Sequence, residues 1–257
     1  MKYMGSKSRF VKEILPIILK DRKENQWFVD LFCGGCSIAQ EVDGKVIAND
    51  KNKYLIAMFK GLQENRSRPT EITKDLYNIA RDVYNGKETV FNHIMEMDDF
   101  MIGWIGWMGS YNGRFFDGGY SGHNVNGRDY ISEQIRNTEK QVDKTKHIQF
   151  FSQDYSMFDF KEICVIYFDI PYEITKQYST SKGFNHTDFW EWCRVMTKDG
   201  HQVFISEYNA PDDFICVWSK EVTNSMNTTK TYKPTEKLFK YCVNSINKNG
   251  IAENRLE

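Results

Sequence analysis

The sequence predicts an α/β fold, a doubly wound mixed sheet that carries an inserted subdomain. Three observations predict it. Short uncharged runs of β-branched and aromatic residues alternate with amphipathic helical stretches, as in βα units. Four of these runs end near an acid (Asp30, Asp50, Asp154 and Asp169), and the carboxyl edge of an open α/β sheet is where ligands sit. Residues 103–127 break the alternation with eight glycines and several aromatics.

At 257 residues the chain can bury one substantial core and still carry an insertion. Hydrophobic residues at 40% and charged ones at 27% exclude a disordered chain. No run approaches about 18 uncharged apolar residues, so no membrane span is expected. The first residues lack the apolar run of a secretion signal, and cytoplasmic residence is expected.

Residues 8–21 read as an amphipathic helix, with Phe10, Val11, Ile14, Leu15 and Ile18 on one face and Ser6 or Ser8 as N-cap. Trp27-Phe28-Val29-Asp30-Leu31-Phe32 reads as the first strand. The glycines of Cys33-Gly34-Gly35-Cys36 allow a tight turn and a close backbone approach to a ligand. A helix is expected from Ile38, then a second strand at 45–49 closing on Asp50. A strand, a glycine turn and an acid about 20 residues later form a nucleotide-binding half, the acid accepting from ribose hydroxyls. The glycine spacing differs from G-x-G-x-x-G, so a nicotinamide or flavin cofactor is not favoured.

Residues 53–64, 70–99 and 129–143 read as helices. The glycine- and aromatic-rich stretch 103–127 reads as exposed loops or a hairpin without a core of its own. Residues 148–154 form a short strand ending on an acid. Cys164-Val165-Ile166-Tyr167-Phe168 reads as a strand buried on both faces. It stops at Asp169-Ile170-Pro171-Tyr172, which offers a carboxylate, a carbonyl and a ring to a planar amino-bearing group such as a nucleobase. A helix at 188–196, a strand at 202–206 and antiparallel strands near 216–218 and 240–243 complete the chain.

The net charge is −1, yet residues 1–23 hold seven basic side chains against Glu13 and Asp21. Local basic faces can hold phosphates on a neutral protein. The six cysteines read as reduced core thiols. Cys33 and Cys36 have the spacing of half a zinc site but no second half, so no metal is expected.

In this order the segments resemble the DNA adenine-N6 methyltransferases of the Dam type. Lys2-Tyr3-Met4-Gly5-Ser6-Lys7 is similar to that family's N-terminal K-W-x-G-x-K motif, and Phe28–Gly35 to its glycine motif. Asp50 matches the acid after the second strand, and Phe151-Ser152-Gln153-Asp154-Tyr155 the F-x-x-D-[FY] segment. Residues 203–208 and 233–239 are similar to late segments. The tetrad departs from the family pattern at Ile170, where proline is usual. Isoleucine keeps the backbone carbonyl but loses the φ lock, and Pro171 still biases Ile170 towards an extended conformation.

The resemblance implies an S-adenosylmethionine-dependent, Rossmann-like fold. Residues 1–64 and 145–257 would be the catalytic domain and 65–144 an inserted target-recognition subdomain. It implies methyl transfer from S-adenosylmethionine to adenine N6 in double-stranded DNA by base flipping. Asp169 and Ile170 would accept the amino hydrogens, with Pro171 shaping the turn and Tyr172 stacking on the base. Tyr3, Lys7, Asp30, Phe32, Gly34, Gly35, Asp50 and Asp154 would hold the cofactor, with Lys7 on its carboxylate. Asn112, Arg114, Tyr120, His123, Asn124 and Asn126 would face DNA. A monomer is expected, in a bacterial cell and encoded by chromosome or phage, with a cognate restriction enzyme as a candidate partner. The alternatives are cytosine-N4 methylation on the same fold, disfavoured by Asp169, and a DNA-binding module on a decayed methylase fold.

Overall fold

The computed structural model describes residues 1–87, 97–122, 127–172, 183–222 and 235–242. Seven strands form one mixed sheet in the order β3-β2-β1-β4-β5-β7-β6. They are β1 (Phe28–Asp30), β2 (Val46–Asn49), β3 (Ile148–Phe151), β4 (Val165–Asp169), β5 (Gln202–Glu207), β6 (Phe214–Glu221) and β7 (Thr235–Tyr241). The first five pair in parallel, whereas β7 runs antiparallel to β5 and β6. The order reverses between β1 and β4, and a crevice opens at such a switch point beyond the carboxyl ends of the strands.

The continuous apolar run of β4 follows from burial on both faces. Val165 and Tyr167 enter the core on one side, Ile166 and Phe168 the core on the other. This two-residue alternation is that of any strand, and each such side chain contributes roughly 1.5–3 kcal/mol on burial. The first core also holds helices α1 (Val11–Ile18), α2 (Lys53–Gln63) and α5 (Tyr130–Thr145), and the second holds α6 (His186–Lys198). Asn52 caps α2, its side-chain oxygen accepting from the Tyr54 and Leu55 amides. Asn185 caps α6 in the same way.

Three expectations need correction. The segment after the glycine turn is only a 3-10 turn at Ala39–Glu41, not an α-helix; Asp43 and the left-handed Gly44 follow at once and turn the chain into β2. The stretch 70–99 is not one helix: α3 is Lys74–Tyr84, capped by Thr73, and among the described residues the next helix begins at Asp99. Residues 88–96 lie outside the described residues.

The third correction concerns the glycine-rich stretch. Its first part is a buried helix, α4 (Asp99–Gly109), whose residues Ile102 to Gly109 are all buried. The glycines permit close packing. A Cβ on Gly103 would stand 2.1 Å from the Tyr54 carbonyl oxygen of α2, and one on Gly106 would stand 2.5 Å from the Phe115 ring. Tyr77, Tyr84, Trp107, Phe115 and Phe116 close into an aromatic cluster around them. A helix apolar all round gives no amphipathic signal. Past α4 the chain does turn back, with an antiparallel bridge between Ser110 and Tyr120. No helix among the described residues is long and apolar enough to cross a membrane.

Candidate functional site

A cleft of about 660 Å³ lies at the carboxyl ends of β1 to β4. Two elements from opposite ends of the sequence floor it: the turn at 33–36 and the turn at 169–172.

Asp30 ends β1 and is fully buried. Burial first, then the nearby Asp169 charge, pushes its carboxyl well above the usual range, although amides of Phe32 and Ala39 oppose this. Among the described residues its Oδ1 has no hydrogen-bond partner. Gly34 (φ +46°) and Cys36 (φ +60°) take left-handed conformations that turn the chain sharply. Tyr3 lies directly on this turn: a Cβ on Gly34 would be 2.7 Å from the Tyr3 ring and one on Gly35 2.6 Å from the Tyr3 Cβ. The Tyr3 ring stacks on Trp107 at 5.0 Å. The two glycines are therefore required by the N-terminal segment. That segment is clamped by Gln134 of α5, which accepts from the Lys2 amide at 2.9 Å and donates to the Lys2 carbonyl at 2.9 Å.

Asp50 is fixed by the main chain. Its Oδ2 accepts from the Gly34 amide at 3.1 Å and its Oδ1 from the Asn52 amide at 2.8 Å. Burial outweighs these bonds and pushes its carboxyl up to about 6. Asn49, one residue earlier, was not singled out in the sequence. Its side chain bonds the Leu31 carbonyl and both the carbonyl and the amide of Gln153, tying the ends of β1, β2 and β3 together. The signal available for it was its place at the strand end beside Asp50. Asp154 lies at the rim. Burial pushes its carboxyl up, but bonds from the Ser156 hydroxyl and amide and from Lys51 Nζ at 3.3 Å hold it below the usual value. Phe32 faces the cleft and packs against Tyr155, Phe168 and Phe184.

Among the described residues, side chains fix the β4 end. Lys7 Nζ stands 2.9 Å from Asp169 Oδ1 and 3.4 Å from Glu236 Oε2, and 4.6 Å from the centre of the Tyr172 ring. The Tyr172 hydroxyl donates to Glu236 Oε2 at 2.6 Å, and its ring meets Tyr208 edge-on at 4.4 Å. Lys7 is 5% exposed. Burial lowers its ammonium, but Asp169 and Glu236 more than restore it, and the group stays charged. Burial likewise raises the Asp169 carboxyl against the pull of Lys7. Ile170 is buried with Pro171 beside it on the cleft wall. Glu236 is a second residue missed in the sequence, because nothing local marks an acid as the partner of Lys7.

A second cavity of about 490 Å³ shares Ser6, Gly35 and Ser37 with the first and is also lined by Asn112 and Gly113. Asn112 and Gly113 make a left-handed turn against the Lys2 carbonyl. Arg114 is exposed, its Nε 3.3 Å from Met4 Sδ. Tyr120 turns inward, its hydroxyl donating to the Ile72 carbonyl at 2.7 Å. His123, Asn124 and Asn126 lie outside the described residues. Cys33 and Cys36 are free thiols, and among the described residues no group of three or more His, Cys, Asp or Glu could hold a metal ion.

The arrangement offers a cation- and hydroxyl-binding half at β1 to β3 and an amino-accepting half at β4, within one cavity. A family model described as D12 class N6 adenine-specific DNA methyltransferase matches residues 3–238.

Proposed function

Because the chain belongs to the D12 class of N6 adenine-specific DNA methyltransferases, we propose that it methylates a short adenine-containing site in duplex DNA, with S-adenosylmethionine as the donor and the adenine extruded into the cleft beside Asp169. The observation that supports this reading most is the shared cleft. The Gly34-Gly35 turn, Asp50 and the Asp169–Tyr172 turn line one cavity, so donor and acceptor can meet without moving between sites.

The residues present fit the cofactor. Among the described residues Asp30 keeps an unpartnered buried oxygen, one residue before Leu31 and Phe32, which line the cleft. The Asp50 carboxylate holds two amides and retains lone pairs for two ribose hydroxyls. Asp154 at the rim would accept from the cofactor's adenine amino group, and Phe32 would pack on its apolar side. Tyr3 would act through the turn on which it lies. When bound, the cofactor supplies an electrophilic methyl group on a cationic sulfur, which the surrounding acids suit.

On the acceptor side the chain must make a poor nucleophile competent. The adenine amino lone pair is delocalised into the ring. Asp169 and the Ile170 carbonyl would accept the two amino hydrogens, favour a tetrahedral nitrogen, and stabilise the positive charge that develops on it. Pro171 holds Ile170 extended so that its carbonyl can serve. The Tyr172 ring would stack on the base, whose extrusion costs a few kcal/mol. The pairing of Lys7 with Asp169 supports a role for Lys7 on the target side rather than at the cofactor carboxylate. Residues 65–144 would form the recognition subdomain, with Asn112 and Arg114 presented to the duplex; residues 1–64 and 145–257 would form the catalytic part.

The test is transfer of label from methyl-labelled S-adenosylmethionine to duplex DNA, followed by digestion to nucleosides. Label is expected in N6-methyladenine, and sequencing the product gives the site. Label confined to cytosine, or none in DNA, overturns the reading.

A further inference from the structure

We propose that Glu236 is a positioning residue for methyl transfer: through Lys7 it holds the Asp169 carboxylate, and through the Tyr172 hydroxyl it holds the ring, without touching the base. The inference rests on the function proposed above and adds a residue to it.

The geometry is a closed cluster. One oxygen of Glu236, Oε2, receives both the Lys7 ammonium at 3.4 Å and the Tyr172 hydroxyl at 2.6 Å. Lys7 in turn reaches Asp169 Oδ1 at 2.9 Å. Lys7, Asp169 and Tyr172 line the cleft, whereas Glu236 stands behind them and does not. Its side chain is 13% exposed. Glu236 sits at the start of β7, inserted antiparallel beside β5, while Lys7 belongs to the 3-10 turn Lys7–Arg9. The acid thus bolts the N-terminal turn to the β4 end.

A buried acid held between a lysine and a tyrosine could be simple glue. The charge count argues for more. Two carboxylates share one ammonium, with the Lys7, Glu236 and Asp169 side chains 6%, 13% and 22% exposed, so ionisation of both acids leaves a surplus negative charge, a costly arrangement unless it serves something. A nitrogen acquiring positive charge beside Asp169 would be stabilised by that surplus. The groups facing Asp169 are Lys7 from the N-terminal turn, Asp30 from β1, Tyr167 from β4 itself, Tyr172 from the following turn and Glu236 from β7. Glu207 on β5 is turned to the Tyr208 amide, which donates to its Oε1 at 2.6 Å. Lys7 favours the ionised form of Asp169, and Glu236 opposes it.

Two variants separate positioning from glue. Glu236→Gln keeps an oxygen for the Tyr172 hydroxyl and removes the charge. Glu236→Asp keeps the charge and shortens its reach. Both are assayed in single turnover against pH with saturating cofactor and a duplex that the unmutated protein methylates. With Glu236→Gln the acid limb of the rate is expected to move down by about half a pH unit or more, because the charge opposing Asp169 ionisation is gone. The plateau rate is expected to fall about tenfold, with cofactor affinity by calorimetry unchanged. With Glu236→Asp the rate is expected to fall while the limb stays. A limb that does not move in the Gln variant, or moves equally in both, overturns the proposal, as do wild-type rates in the Asp variant should the Gln variant fail to fold. If the unmutated protein itself transfers nothing to adenine, it is the proposed function that fails.

Discussion

The two halves of the cleft hold their acids by different means. At β1 to β3, Asp50 is gripped by backbone amides of Gly34 and Asn52. At β4, Asp169 is gripped by a lysine that a second acid also claims. Main-chain donors cannot be lost by substitution and do not titrate, so that half is a fixed mould. The side-chain cluster is responsive: changing one member alters the charge and orientation of the others. A fixed mould suits recognition of an unreactive ribose. A responsive cluster suits a nitrogen whose charge changes during reaction.

The largest expected effect tests whether the halves are separable. Asp169→Ala removes the proposed amino acceptor and leaves the amide-lined half untouched. Methyl transfer is expected to fall by roughly 10³-fold or more, the cost of losing a group aimed at developing charge. Cofactor affinity by calorimetry is expected to hold within about twofold, since the Asp50 bonds are main-chain. Loss of cofactor binding would show the two halves to be one unit.

A smaller effect comes from pH. The Asp50 carboxyl is pushed up to about 6, and only the ionised form can accept from both ribose hydroxyls. It is ionised above that value and protonates as pH falls through it. Cofactor affinity should therefore be nearly level at pH 7–8 and weaken by about tenfold from pH 7 to 5. Asp50→Asn should flatten this profile and bind about tenfold more weakly at pH 8. Calorimetry across pH 5–8 checks both, and a level profile in the unmutated protein would remove Asp50 from the ribose.

The same contrast explains what the sequence revealed. The sheet was legible because β4, buried on both faces, reads as an apolar run up to Asp169, and β1 as a short buried run closing on Asp30. The glycine turn and the tetrad were legible because their chemistry is local. Helix α4 was not, because burial on every side erased its periodicity and its glycines, read as loop formers, are contact points with α2 and Phe115. The 3-10 turn after Cys36 reads as a helix start in the sequence, but the five residues Ile38 to Val42 before Asp43-Gly44 leave room for only a three-residue 3-10 turn. The pairing of Lys7 with Asp169 and Glu236 was not legible, because those partners are distant in sequence. Contacts made by amides of neighbouring residues can be foreseen; clusters that join remote side chains need the fold.

The smallest effect lies at the rim, where the mould meets solvent. Lys51 Nζ stands 3.3 Å from Asp154 Oδ2, with side chains 69% and 40% exposed. Such a pair contributes about 0–1 kcal/mol, and less at high salt. Asp154 is also held by the Ser156 amide at 3.0 Å and hydroxyl at 2.7 Å, so its orientation does not depend on the lysine. Lys51→Ala is therefore expected to change cofactor affinity by less than about threefold, an effect that shrinks further in 0.5 M salt. Calorimetry at two salt concentrations checks it. A tenfold loss insensitive to salt would mean that Lys51 touches the cofactor directly, and that the rim belongs with the side-chain cluster rather than with the mould.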